Sequence, residues 1–217
     1  MTRLVILISG RGSNMEALFH AVDAGALPVE FAAVISNRTN AAGLATAAAR
    51  GITTAVFDHT AFPDRAAFDT ALMAEIDRYA PDLVVLAGFM RVLTDAFVTH
   101  YAGRLINIHP ALLPAFPGLH THERALAAGV KLHGCTVHFV TPEVDVGPIV
   151  IQAAVPVLDD DTPETLAARV LAQEHQIYPQ AIRWFAEGRL QITPTGGVRL
   201  QLNRPSAVAS CVVPALD

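Results

Sequence analysis

At 217 residues, 52% hydrophobic and 16% charged, the chain has enough apolar surface to close a core and lies outside the disordered class. A formal net charge of -5 offers no basic stripe for a phosphate backbone, which speaks against nucleic acid, and two cysteines, Cys135 and Cys211, are too few for a disulfide framework or a thiolate metal site. The apolar run from Leu4 to Ile8 is too short for a signal-peptide core and no run reaches membrane-spanning length, so a soluble, unprocessed protein of the reducing cytoplasm is expected.

From Leu4 to His109, short β-branched runs alternate with alanine-rich segments of helical period, the pattern of βαβ units around a parallel sheet. Leu4 to Ser9 reads as a strand, Asn14 to Ala24 as its helix, Phe31 to Ser36 as a strand, and Ala41 to Arg50 as a helix closed by Gly51. Thr53 to Phe57 follows as a strand and Asp64 to Tyr79 as a helix ended by Pro81. Leu83 to Ala87 is apolar throughout, as in a central strand buried on both faces, and Leu105 to Ile108 reads as its neighbour.

Beyond His109 the pattern changes. Cys135 to Val140 and Ile149 to Val155 are β-rich, with the turn-forming stretch Thr141 to Pro148 between them, so an antiparallel extension is predicted. Thr162, Pro163 and Glu164 supply a cap, a first-turn proline and an acid for a long helix that Gly188 closes. Leu190 to Thr193 and Val198 to Leu202 alternate around Gly196 and Gly197 as a hairpin. The expectation is an α/β domain over residues 1–190, with a hairpin and tail over 191–217.

Three constellations carry chemistry. Gly10-Arg11-Gly12-Ser13-Asn14 joins the first strand to the first helix, where backbone amides and the helix start attract an anion; the same glycines could also only shape a tight turn. A dinucleotide fingerprint would need glycine at Met15 and an acid where Ser36-Asn37-Arg38 stands, so NAD is not expected. Asn107 and His109, two apart at the carboxyl end of a core strand and stopped by Pro110, project to one side, where open α/β sheets bind ligands. Either they are catalytic or they form a polar strand end bonded to a nearby loop. Asp145, in a loop whose Pro142, Gly147 and Pro148 can fix it, is by itself a turn residue. Beside an imidazole it would hold the ring protonated and aligned. Glu174 shares an apolar helix face with Val170 and Ile177 and needs a partner, either a ligand's amine or hydroxyls or an arginine elsewhere. His120, His122, His133 and His138 lack a Cys or acid at ligand spacing and read as structural or substrate-contact histidines.

Four motifs then stand in order: Ile-Ser-Gly-Arg-Gly-Ser-Asn at 8–14, Leu-Ala-Gly-Phe-Met-Arg at 86–91, Asn-Ile-His-Pro-Ala-Leu-Leu-Pro at 107–114, and Pro-Gly-Leu-His-Thr-His at 117–122. On these, and on Gln173-Glu174-His175, the chain from Leu4 to about Leu190 resembles the folate-dependent phosphoribosylglycinamide formyltransferases of de novo purine synthesis. The resemblance implies a Rossmann-like formyltransferase fold and transfer of a formyl group from 10-formyltetrahydrofolate to the amine of 5-phosphoribosylglycinamide, without a metal. It implies that Gly12, Ser13 and Asn14 hold the substrate phosphate and that Glu174 meets the ribose or glycinamide part. Arg65, Met90, Arg91, Val92 and Leu93, with Asn107 and the loop residues Thr141, Pro142, Glu143, Val144 and Asp145, match the positions that receive the folate. Asn107, His109 and Asp145 match the catalytic set. Small-molecule substrates, neither nucleic acid nor membrane, and a monomer or homodimer in the cytoplasm complete the expectation. A relative acting on another acceptor, or hydrolysing the formyl group, is the alternative. Two departures are visible: Cys135-Thr136 where relatives often carry Thr-Ser, with a hydroxyl kept at Thr136, and Val146 where glycine is common.

Overall fold

The computed structural model describes residues 1–201; Leu202 at the end of the predicted hairpin, the tail 203–217 and Cys211 lie outside the described residues. The chain runs β1 (Thr2–Ile8), α1 (Ser13–Asp23), β2 (Val29–Ser36), α2 (Ala42–Ala49), β3 (Thr54–Val56), α3 (Arg65–Arg78), β4 (Leu83–Leu86), α4 (Asp95–His100) and β5 (Leu105–His109). It continues as α5 (Thr121–Ala127), β6 (Leu132–Phe139), β7 (Ile149–Pro156), α6 (Pro163–Ala186) and the hairpin β8 (Leu190–Ile192) and β9 (Val198–Leu200).

Seven strands form one sheet in the order β3-β2-β1-β4-β5-β6-β7, with β4 central, and β8 and β9 form a separate antiparallel pair. The strands from β3 to β5 pair in parallel, while β6 and β7 are antiparallel. Alternation along the strands sorts two apolar layers. Leu4, Ile6 and Ile8 of β1 pack with Met15, Leu18 and Phe19 of α1 and with Val170, Ile177 and Ile182 of α6. Val5 and Leu7 point the other way, against Phe68, Leu72 and Ile76 of α3 and Phe97 of α4. Ile6 is fully buried, and truncating such a side chain to alanine costs about 2–5 kcal/mol.

Helix α6 begins as its sequence predicts: Thr162 caps Thr165, which answers through its own hydroxyl, and Pro163 stands in the first turn. Two short helices, α4 and α5, were not predicted, and both are too brief to show a period. The Thr94 hydroxyl caps α4 through Phe97 N at 3.3 Å. β6 begins at Leu132, before the predicted Cys135, because Leu132 and His133 pair with Pro156 and Val155 of β7.

Candidate active site

Strand order reverses between β1 and β4: from β1 the chain winds out to β2 and β3, then returns to β4 on the other side of β1. The loops leaving two such strands diverge and open a crevice at their carboxyl ends. A cavity of about 280 Å³ lies there, lined by the 9–14 loop with Arg38, Gly88 and Met90. Gly12 is the N-cap of α1 at φ 76, and among the described residues no side chain caps the helix or accepts from its first-turn amides. Those amides and the helix dipole make the loop receptive to an anion. Gly43, at the start of α2, lets that helix press on the loop: its N–H donates to Gly10 O at 3.1 Å, and a Cβ there would stand 2.8 Å from Arg11 O.

Glu174 and Asn14 meet at this loop. The Asn14 amide Nδ2 donates to Glu174 Oε2 at 2.7 Å across 160 residues of sequence, so the buried acid's partner is an amide and not an arginine. Burial raises the Glu174 pKa and the Asn14 bond opposes the shift. Asn14 Oδ1 is buried without a partner among the described residues.

Asn107 and His109 leave β5 on the face opposite Ile106 and Ile108, and the antiparallel register sets His138 across from Asn107 and Thr136 across from His109. His109 Nε2 lies 2.9 Å from Phe116 O, and because a carbonyl only accepts, Nε2 carries a proton. Its other nitrogen, Nδ1, is 3.4 Å from Asp145 Oδ2, with both side chains nine-tenths buried or more. Asp145 sits at φ 57, a left-handed conformation that Asp tolerates better than most residues, and Gly118 N donates to its Oδ2 at 2.8 Å. His138 Nδ1 donates to Phe139 O at 3.0 Å, which leaves Nε2 as an acceptor for the Asn107 amide N–H at 3.3 Å. Burial lowers the His138 pKa, while Asp145 Oδ1, 3.7 Å away, pulls in the opposite direction.

Thr136 buckles the Pro110–Pro114 loop to the sheet. Its hydroxyl donates to Ala111 O at 2.7 Å and accepts from Leu113 N at 3.1 Å and Gln152 Nε2 at 2.9 Å, so the hydroxyl noted in the sequence is fully engaged. His133 is buried, with neither ring nitrogen at full hydrogen-bonding geometry to a partner among the described residues, and stacks edge-on with His122 at 5.3 Å, whereas His120 is exposed beside Glu123.

Of the remaining predicted positions, Met90 lines the same cavity as the 9–14 loop. In the 90–93 segment, Met90 and Val92 are exposed, Leu93 is buried, and the Arg91 guanidinium lies 4.5 Å over the Phe68 ring. Among the described residues, the backbone N–H and C=O groups of Arg91, Val92 and Leu93 make no hydrogen bond. Arg65 opens α3, exposed, one turn before Asp69, which contacts Thr94 N at 2.6 Å. Pro142, Glu143 and Val144 are exposed, and the Thr141 hydroxyl donates to Glu143 O at 3.2 Å. Thus Asn107, His109 and Asp145 converge, as do Asn14 and Glu174; Arg65 is linked to the site only along α3. Gly43, Phe116, Gly118 and the orienting role of His138 were not read from the sequence. The antiparallel register of β5 on β6 was the signal that would have paired His138 with Asn107.

Residues 2–182 match the family described as formyl transferase, and the chain belongs to it. The phosphoribosylglycinamide formyltransferase of Escherichia coli (strain K12) is 53% identical over 189 residues, covering 87% of this chain and 89% of that protein. Its counterpart in Haemophilus influenzae is 45% identical, covering 88% of this chain and 91% of that protein. The crystal structure of glycinamide ribonucleotide transformylase 1 from Symbiobacterium toebii superposes with a TM-score of 0.89 at 51% identity, covering 92% of this chain and 94% of that one. Within the family, the chain stands among the phosphoribosylglycinamide formyltransferases. No helix of the described residues is long and apolar enough to cross a membrane, and no group of three or more His, Cys, Asp or Glu among them could hold a metal.

Proposed function

We propose that this chain transfers the formyl group of 10-formyltetrahydrofolate to the amine of 5-phosphoribosylglycinamide. The convergence of Asn107, His109 and Asp145 on one crevice carries the reading. The acceptor's phosphate goes to the uncapped start of α1 at Gly12, Ser13 and Asn14, and Glu174 meets its ribose or glycinamide part. The donor goes to the opposite side, where the unpaired backbone groups of Arg91, Val92 and Leu93 suit the polar edge of a pterin. Met90, Asn107 and the loop Thr141, Pro142, Glu143, Val144 and Asp145 complete that side, and Arg65 offers a cation to the donor's carboxylates.

In the reaction the neutral amine attacks the formyl carbon. A new N–C bond forms, the carbonyl pair moves onto oxygen, and the bond from carbon to the folate nitrogen then breaks as that nitrogen takes up the proton the amine loses. The Asn107 amide and protonated His109 stabilise the oxyanion, and Asp145 aligns the ring. With Nε2 committed to Phe116 O, Nδ1 is the nitrogen able to change partners, because 3.4 Å to Asp145 is too long for a formed hydrogen bond. No covalent enzyme intermediate is needed, since the donor is already activated.

The test is to incubate the purified protein with both substrates and assay tetrahydrofolate together with the formylated ribonucleotide. Formate released without any amine acceptor would replace this reading with hydrolysis. Ligand-induced stabilisation without product would reduce the protein to a binder.

A further inference from the structure

The segment after β4 is held at both ends by buried side chains, Ser9 at the edge of the anion loop and Asp69 on α3. At its start, Ser9 Oγ accepts from Met90 N at 2.8 Å and donates to Asn37 Oδ1 at 2.6 Å, so the amide of Asn37 fixes which way the hydroxyl points. Ser9 is 7% exposed and Asn37 2% exposed. At its end, Asp69 Oδ2 accepts from Thr94 N at 2.6 Å, while Thr94 also caps α4. Asp69 is 1% exposed, and its Oδ1 has no partner among the described residues.

A carboxylate buried on so few hydrogen bonds is costly, and a leucine at that position would continue the layer of Phe68 and Leu72 at no such cost. What the acid gains for the fold is a fixed Thr94 backbone. Between the two ties the segment alternates: Arg91 and Leu93 turn inward, Met90 and Val92 outward. Its central backbone groups make no hydrogen bond among the described residues. Unpaired backbone groups bind a planar heterocycle only when held in one conformation, because ordering a loose segment on binding subtracts from affinity.

We propose that Ser9 and Asp69 are positioning residues for the formyl donor, clamping Met90 and Thr94 so that Arg91, Val92 and Leu93 present a preorganised backbone edge to the pterin. The proposal rests on the donor side assigned above.

The experiment is steady-state kinetics with each substrate varied in turn, on Ser9→Ala, Asp69→Leu and Asp69→Asn, with tetrahydrofolate affinity measured by calorimetry and folding checked by thermal melt. Ser9→Ala and Asp69→Leu should each raise the donor KM and the tetrahydrofolate Kd by about ten-fold; for Asp69→Leu the KM for 5-phosphoribosylglycinamide should stay within about two-fold of wild type, whereas Ser9 also lines the anion loop, so Ser9→Ala is read from tetrahydrofolate affinity. Asp69→Asn keeps an acceptor oxygen and should restore most of the donor affinity. Equal rises in both KM values of Asp69→Leu, a loss confined to kcat, or no change in donor affinity would overturn the clamp. Should Asp69→Leu fail to fold, Ser9→Ala decides alone. Wild-type protein without transfer activity would sink the functional reading instead, while the calorimetry would still judge the clamp.

Discussion

The Phe116 carbonyl oxygen sits 2.9 Å from His109 Nε2, and this contact decides how the imidazole can work. Phe116 is itself held at φ 55, an uncommon conformation for a non-glycine residue, so the chain places that carbonyl at some cost. With Nε2–H committed, Nδ1 is the nitrogen left to face Asp145.

His109→Ala, Asn107→Ala and Asp145→Ala should each lower kcat by about 10²–10⁴-fold, while either KM moves by less than about five-fold. Steady-state kinetics on the three variants checks this. Wild-type turnover in any one of them would strip that residue of its role.

His138 touches Asn107 and stands behind the reacting groups, so its effect should pass through the amide. His138→Phe is expected to reduce kcat about ten-fold by freeing Asn107 to rotate. In a double-mutant cycle, His138→Phe added to Asn107→Ala should cause no further loss. Additive losses would show that His138 acts by another route.

Two residues after Asp145, Gly147 lies against the sheet, and a Cβ there would collide with the Phe139 carbonyl oxygen. Gly147→Ala must therefore shift the loop that carries Asp145. Turnover should fall by at least about ten-fold with a smaller change in acceptor KM, read from kinetics beside a thermal melt. Unchanged turnover would mean that the loop absorbs the methyl group without moving its acid.

Burial, reinforced by the neighbouring charge of His122, pulls the His133 pKa from 6.5 down to about 4. As pH falls, the unfolded chain takes up this proton before the folded one does. Stability should therefore decline between about pH 6.5 and pH 4 and level off below that window. His122, also shifted down by burial, adds to the same trend. His133→Leu should flatten the dependence of melting temperature on pH across that range; an unaltered slope would assign the acid sensitivity elsewhere.

Much of this molecule is legible in the sequence because the signals are local. The apolar run Leu83–Leu86 reads as the central strand, and Thr162-Pro163 reads as a helix start. The glycines of the 9–14 loop likewise announce a tight turn from a strand into a helix, with Gly12 at φ 76 as its N-cap. Contacts that depend on two distant segments were not legible. Asn14 and Glu174 are 160 residues apart, and a single sequence left an arginine as an equal partner for the acid. Gly43 looked like any small helical residue until α2 was seen pressed onto the loop. The short helices α4 and α5 hide because a turn or two carries no periodic pattern, and His138 gains its meaning only from the register of β6 on β5.

Ile106 and Ile108 face α6, whereas Asn107 and His109 face the side of α3. Helices α1 and α6, with Asn14 and Glu174, pack on the first side of the sheet, and α3 with the residues that hold the 90–94 segment packs on the second. Mutational drift within either helical layer can therefore retune recognition of one reactant with little effect on its counterpart, whereas Ser9, which lines the anion loop and ties Met90, answers to both along with the few side chains at the rim.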